Sequence, residues 1–179
     1  MKRKFKSDFY RMTGSGHVGF VKGIFLFLIS PHIRYVKLHR KYEKRKSIFT
    51  RARLYRLSKR YGLEISTSAN IGEGLYLGHP YNITVAGGVT MGKNCNLHKG
   101  CTIGRENRGK RMGVPTLGDC VYVGINSIVV GNITVGDDVF IAPGAFVNFD
   151  VPSHSVVIGN PGVIHTRDNA TENYIIHRV

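Results

Sequence analysis

The sequence predicts a mainly β fold, a three-sided coil of short parallel strands with a basic α-helical segment at its N-terminal end. Three observations predict it. From Ile65 to Val147 an apolar residue recurs at every sixth position, usually followed by glycine. The net charge of +15 on 179 residues is concentrated at one end. Finally, Ile33 to Tyr61 reads as helical, with Ile48, Leu54 and Leu57 marking a side that docks on protein.

The repeat is legible as hexads. ISTSAN, IGEGLY, LGHPYN and ITVAGG run from Ile65, and two extra residues, Val89 and Thr90, follow. MGKNCN, LHKGCT and IGRENR come next, and after a break LGDCVY, VGINSI, VVGNIT, VGDDVF and IAPGAF complete the series. Neither a helix nor a free strand needs a period of six. A chain that turns a corner every six residues does, because each corner wants one inward apolar side chain and one tight backbone position. Three hexads make a turn, and stacked turns lie about 4.8 Å apart, the spacing of paired strands. This register places Ile71, Leu77 and Ile83 on the three sides of one coil, and Met91, Leu97 and Ile103 on the next. Leu117, Val123 and Val129 form a third coil, and Val135, Ile141 and Val147 a fourth.

Three segments follow from these limits: residues 1–62 as the basic helical segment, 63–165 as the repeat domain and 166–179 as a tail. Residues 1–62 carry 18 Lys and Arg against Asp8 and Glu43, a balance of +16, whereas residues 63–179 balance at −1. That asymmetry points to a phosphate-rich partner for the first segment. Phe20–Ile29 is the most apolar run, too short at the roughly 20 residues a spanning helix needs. It supplies the apolar insertion that charge alone lacks, so an anionic membrane surface is the expected partner of residues 1–62. Nucleic acid is not expected, since no recognition helix, zinc motif or aromatic platform accompanies the charge. Gly62 marks the end of the helical pattern.

Cys95, Cys101 and Cys120 all fall inside the repeat, and no signal-peptide pattern opens the chain. A reduced, cytoplasmic setting is expected, peripheral at the inner face of the membrane, with the cysteines as small core or corner residues. The insertion Arg105–Thr116 breaks the period and projects from a corner with Arg105, Arg108, Lys110 and Arg111. Residues 165–179 read as a short docking helix or a loose tail.

IGEGLYLGH, CNLHKGCTIG, the basic loop, LGDCVYVGINSIVVGNITVGDDVFIAPGAFV and DVPSHSVVIGNPGVI occur in this order. Together they resemble the hexapeptide-repeat acyltransferases over about residues 62–165. The likeness is to the serine acetyltransferase branch, and within it to the O-acetyltransferases of surface-polysaccharide pathways. The resemblance implies a left-handed parallel β-helix, an exception to the right-handed crossover rule. It also implies a homotrimer, acetyl-CoA as the donor, and active sites between subunits.

Acetyl transfer to a hydroxyl needs a base for the proton and donors for the developing oxyanion. His79, in GLYLGHP, matches the catalytic histidine of the family, and an imidazole suits that role near pH 7. His98 lies one residue after Leu97, as His79 lies two after Leu77. Both rings are therefore expected near one edge of adjacent coils, with His98 as a second active-site group. The family commonly has Asp before the catalytic histidine, where Gly78 stands, and a substrate-contacting His before a loop proline, where Val114 precedes Pro115. Glu64, fifteen residues before His79, matches an orienting Asp. By the same resemblance Gly124, Ile125, Asn126, Ala142 and Pro143 match positions that hold the pantetheine arm. Arg108, Lys110, Arg111, Asn160 and Pro161 are placed to reach the coenzyme phosphates.

The resulting expectation is an acetyl-CoA-dependent O-acetyltransferase acting on a sugar hydroxyl in surface polysaccharide biosynthesis. The alternative is a serine O-acetyltransferase of cysteine biosynthesis. From other classes come a metal-dependent hydratase and a non-catalytic scaffold. A zinc hydratase needs three converging histidines, and His17, His32, His39, His154, His165 and His177 all lie outside the repeat. No metal is expected.

Overall fold

In the computed structural model, residues 2–15 and 20–179 are described, so His17 lies outside them. Four helices precede the coil: Lys2–Thr13 (α1), Phe20–Ile29 (α2), Pro31–Lys44 (α3) and Ile48–Tyr61 (α4). The strands are Leu63–Ile65 (β1), Asn70–Ile71 (β2), Tyr76–Gly78 (β3), Ile83–Val85 (β4), Thr90–Met91 (β5), Asn96–His98 (β6) and Thr102–Gly104 (β7). Beyond the loop come Thr116–Leu117 (β8), Tyr122–Val123 (β9), Ile128–Val130 (β10), Thr134–Val135 (β11), Val139–Ile141 (β12), Phe146–Val147 (β13), Ser155–Ile158 (β14) and Val163–Thr166 (β15).

Every third strand pairs in parallel, so the sides become three sheets, β2-β5-β8-β11, β3-β6-β9-β12-β14 and β1-β4-β7-β10-β13, and β15 adds an antiparallel edge to the second. The hexad register holds on two sides. Ile71, Met91, Leu117 and Val135 stack on the first. Leu77, Leu97, Val123, Ile141 and Val157 stack on the second. All nine are buried, and each stabilises the coil by about 1.5–3 kcal/mol.

The third side corrects the expected register. Val85, not Ile83, faces Ile103, and Ile83 faces Leu63. The two extra residues therefore fall between Leu77 and Val85, not at Val89-Thr90. The surplus lengthens one corner, His79–Asn82, where His79 has φ 48° and Asn82 φ 53°. The Tyr81 amide donates to the His79 carbonyl at 2.7 Å and closes this bulge.

The helices cap the first coil and share its core, since Tyr35, Val36 and Leu54 pack in one cluster with Leu63, Ile65 and Ile83. The expected single helix over residues 33–61 is two. Arg45 and Ser47 are extended, which ends α3 and restarts the chain as α4. Gly62 closes α4 in the left-handed region, φ 63°, its amide donating to the Ser58 carbonyl. Two of the basic residues of this segment are buried pins rather than contacts for a phosphate-rich partner. Arg40 pairs with Asp8 at 2.8 Å and donates to the carbonyls of Ile71 and Gly72. Arg11 donates to the carbonyls of Gly74, Asn94 and Ile176 and to Asn96.

The remaining cations of α4, Arg51, Arg53, Arg56, Lys59 and Arg60, are exposed. Beside them stand apolar side chains in water: Ile48 and Phe49 on α4, and Ile24, Phe25, Leu28 and Ile29 on α2. No helix among the described residues is long and apolar enough to cross a membrane.

The tail is neither helix nor loose. It runs back along the outer face of the second side as a strap. Asp138 accepts hydrogen bonds from the amides of Ala170 and Thr171 and from the Thr171 hydroxyl. Tyr174 packs on Phe140 with ring centroids 4.4 Å apart. Asn94 and Val179 exchange two hydrogen bonds of 2.9 Å.

Candidate active site

The corners that follow the second side stack into one edge. Lys99 donates to the Gly78 carbonyl at 3.0 Å, Asn126 to Lys99 at 3.0 Å and Gly144 to Ile125 at 2.8 Å. Further along, Phe146 donates to Gly159 at 3.0 Å. So His79, Gly124, Ile125, Asn126, Ala142 and Pro143 lie along a single edge, and the Asn160-Pro161 turn follows Gly159 at its far end. Gly124 is a steric requirement of the stacking, since a Cβ there would stand 2.6 Å from the Pro143 nitrogen.

His79 is exposed at the helical end of this edge and opens into a cavity of about 550 Å³. Pro31 and His32 at the start of α3 form one wall, and Pro80, Tyr81, Lys99 and Ile125 the rest. The site therefore joins the helical cap to the coil. His32 and Lys99 are site residues the sequence reading missed. Lys99 and Ile125 were within reach of it, because each lies two residues past its inward apolar residue, as His79 does. No comparable pattern marks His32.

His98 stands elsewhere than expected. Its Cα partner is Gly78, and its imidazole lies across that glycine, so that a Cβ on Gly78 would stand 2.4 Å from Nδ1. The ring joins an aromatic ladder on the outer face of the second side, 4.5 Å from Tyr122 and 6.0 Å from Tyr76. It lines a separate cavity of about 200 Å³ with Arg11, Asn96 and Tyr174. Burial, with a smaller contribution from nearby His79, pushes its pKa down to about 4, so the ring is neutral. Its Nε2 is buried without a hydrogen-bond partner. The two imidazoles are neighbours, but His98 backs the corner rather than lining the His79 cavity.

This interlock accounts for Gly78, where the family commonly has Asp. Gly78→Ala is expected to destabilise the protein by about 1–3 kcal/mol through overpacking. In a His98→Ala background the same change should be nearly neutral. Chemical denaturation of the four proteins measures the coupling, and equal costs in both backgrounds would refute the interlock.

Two other candidates are not brought to His79 within the protomer. Glu64 is exposed on β1 opposite Thr84, and its carboxylate makes no hydrogen bond or ion pair among the described residues. The basic loop leaves the corner between the third and first sides, not the His79 corner. It is closed by reciprocal Glu106–Gly113 hydrogen bonds of 2.9 Å and tied to the next coil by Asn132 donating to Arg111. Arg108, Lys110 and Arg111 are exposed on it. Cys95 and Cys101 are core residues whose thiols burial pushes up to about 12. Among the described residues, no three His, Cys, Asp or Glu side chains converge to hold a metal ion.

This architecture, an imidazole at a corner of a three-sided hexapeptide-repeat helix, defines a class. No family model matches the chain, but individual proteins do. It is 34% identical over 133 residues to a serine acetyltransferase of Staphylococcus aureus, covering 73% of this chain and 61% of that protein. It is 33% identical over 123 residues to serine acetyltransferase 2 of Arabidopsis thaliana, covering 69% of this chain and 38% of that one. Its structure superposes on the serine acetyltransferase of Neisseria gonorrhoeae with a TM-score of 0.73 at 25% identity, over 93% of this chain and 64% of the other. These homologues are serine acetyltransferases, and the chain shares their hexapeptide-repeat left-handed parallel β-helix. It spans between 38% and 61% of the length of these curated relatives. They are named for serine, and the expected closeness to polysaccharide-pathway enzymes is not carried by them.

Proposed function

We propose that the chain is an acetyl-CoA-dependent O-acetyltransferase that works as a homotrimer, with His79 as general base. The observation that carries this reading is an exposed imidazole opening into a cavity at the end of the Gly124–Pro143 edge, in a chain homologous to serine acetyltransferases. In the reaction the acceptor hydroxyl oxygen attacks the thioester carbonyl while His79 takes its proton. The carbon–sulfur bond breaks, the acetyl ester forms, and the imidazolium returns the proton to the departing CoA thiolate. Gly124, Ile125, Asn126, Ala142 and Pro143 hold the pantetheine arm on this reading. Asn160, Pro161 and the loop residues Arg108, Lys110 and Arg111, the last three from a neighbouring subunit, reach the phosphates. His98 backs the His79 corner through Gly78, whereas Glu64, exposed on β1, makes no hydrogen bond or ion pair with that corner among the described residues.

The relatives' names make serine the first acceptor to test, and with it a role in cysteine biosynthesis. A sugar hydroxyl is the second reading, favoured by Gly78 and Val114 at positions where the serine-specific pattern has polar residues. An acetyl-CoA thiol-release assay across L-serine, simple sugars and glycan precursors decides between them. Release with serine establishes the first reading, and release only with sugars establishes the second. No release with any of them removes the transferase assignment.

We also infer that α2 and α4 rest on an anionic membrane surface, with Phe25, Leu28 and Ile29 inserted and the α4 cations over the headgroups. Because α1 is pinned to the coil by Asp8 and Arg11, deleting residues 1–31 would dismantle the cap. Phe25→Ser with Leu28→Ser is the sharper probe. These changes should release the protein from phosphatidylserine vesicles at physiological salt, and unchanged sedimentation with vesicles would discard the idea.

A further inference from the structure

We propose that His32 and Lys99 form the acceptor subsite facing His79, with His32 hydrogen-bonding a hydroxyl or amino group of the acceptor and Lys99 pairing with an anionic group on it. The inference rests on the transferase reading above and names the part of the chain that holds the acceptor. It gives the helical segment a place in the chemistry as well as in the cap.

His32 comes from the first turn of α3, which is fixed to the coil by two anchors further along the helix. Tyr35 exchanges hydrogen bonds with the Ile65 backbone, and Arg40 reaches the Ile71 carbonyl at 2.8 Å. The His32 ring is half-buried yet makes no hydrogen bond among the described residues, and it lines the His79 cavity. A shielded imidazole without a partner carries a desolvation cost that a ligand group would relieve. Burial also lowers its pKa, so one ring nitrogen keeps a lone pair at neutral pH and accepts a hydrogen bond.

Lys99 springs from a rigid corner, its amide bonded to Gly78 and its carbonyl to Asn126. Among the described residues its ammonium makes no ion pair, and no carboxylate lines the cavity to compete for it. Pro31, Pro80, Tyr81 and Ile125 supply apolar surface beside this pair, and Lys99 itself is exposed at the mouth. The chemistry that fits is a small hydroxyl compound carrying an anionic group and a second hydrogen-bond donor. Serine meets it through its carboxylate and ammonium, and a uronic acid through its carboxylate and ring hydroxyls.

Calorimetric titration of the full chain carrying His79→Ala, saturated with CoA, tests the subsite, with L-serine and galacturonate as probes. His32→Ala and Lys99→Gln should each weaken binding of the preferred probe about five- to tenfold and leave CoA affinity unchanged. His32→Gln, whose amide oxygen accepts a hydrogen bond, should recover most of the loss. The preferred probe separates an amino acid acceptor from an acidic sugar. The proposal is overturned if neither probe binds, if the variants bind like their parent, or if the loss falls on CoA instead. Thiol release by the unsubstituted enzyme is read separately. Release with silent substitutions leaves the transferase reading standing without this subsite. Selective loss of probe binding in a protein that releases no thiol does the reverse.

Discussion

His79→Ala lowers acetyl-CoA-dependent thiol release by about 10²–10⁴-fold, the usual contribution of a general base, while acetyl-CoA still binds. The imidazole is exposed at the cavity and makes no hydrogen bond among the described residues, so removing it breaks no hydrogen bond there. The backbone there is left-handed, φ 48°, which costs an alanine about 1–2 kcal/mol. His79→Asn is therefore the control, because asparagine tolerates that conformation and keeps a polar side chain without a usable base. Both variants should be equally inactive at saturating acceptor. If either turns over like the unsubstituted enzyme, the base lies elsewhere. An active alanine variant with an inactive asparagine one would point to blockage of the cavity rather than loss of proton transfer.

The coil was legible because its geometry leaves a residue-by-residue trace. Leu77, Leu97, Val123 and Ile141 had to be apolar to fill one side, and they face one another as the period requires. The surplus pair was misplaced because Ile83 and Val85 are both apolar, β-branched and buried. Either satisfies the pattern, and only pairing with Leu63 and Ile103 separates them. The cap was illegible for a different reason. In a segment with 18 basic residues, nothing local distinguishes Arg11 and Arg40 from solvated neighbours. Apart from Glu43, one helical turn from Arg40, their acceptors are backbone carbonyls and side chains supplied by residues distant in the chain.

The site divides along the same line. His79 was found through its motif, and the edge above it through the repeat. His98 was misjudged by a matter of side-chain direction. One residue after an inward Leu, its ring stands on the outer face of the second side and leans over Gly78. His79, one position later, is already in the corner. His32 lies far from His79 in sequence and reaches it only because α3 docks on the first coil. That docking depends on a buried ion pair that no sequence pattern reports.

Arg40→Met is accordingly expected to cost about 3–5 kcal/mol in urea unfolding at fixed protein concentration. Arg40 and Asp8 are both fully buried, 2.8 Å apart, and the Leu75 amide also donates to Asp8 at 2.9 Å. Burial pushes the Asp8 carboxyl up, and the guanidinium beside it holds against that shift. Removing Arg40 strands a carboxyl in the interior, takes the guanidinium away from the Gly72 carbonyl, and leaves the Ile71 carbonyl with Lys4 alone. Adding Asp8→Asn to Arg40→Met should recover much of the loss, since the amide oxygen still accepts from Leu75 without a charge to bury. A double variant no more stable than Arg40→Met would show that the backbone bonds, not the charge pair, hold the cap. The same clamp fixes α3, so acceptor affinity should fall in Arg40→Met below the onset of unfolding, while CoA binding on the coil edge persists. That separation follows from where the forces act: the coil is held by its own stacked apolar core, whereas the wall carrying His32 needs the buried Arg40–Asp8 pair in addition to its Tyr35 and Val36 contacts.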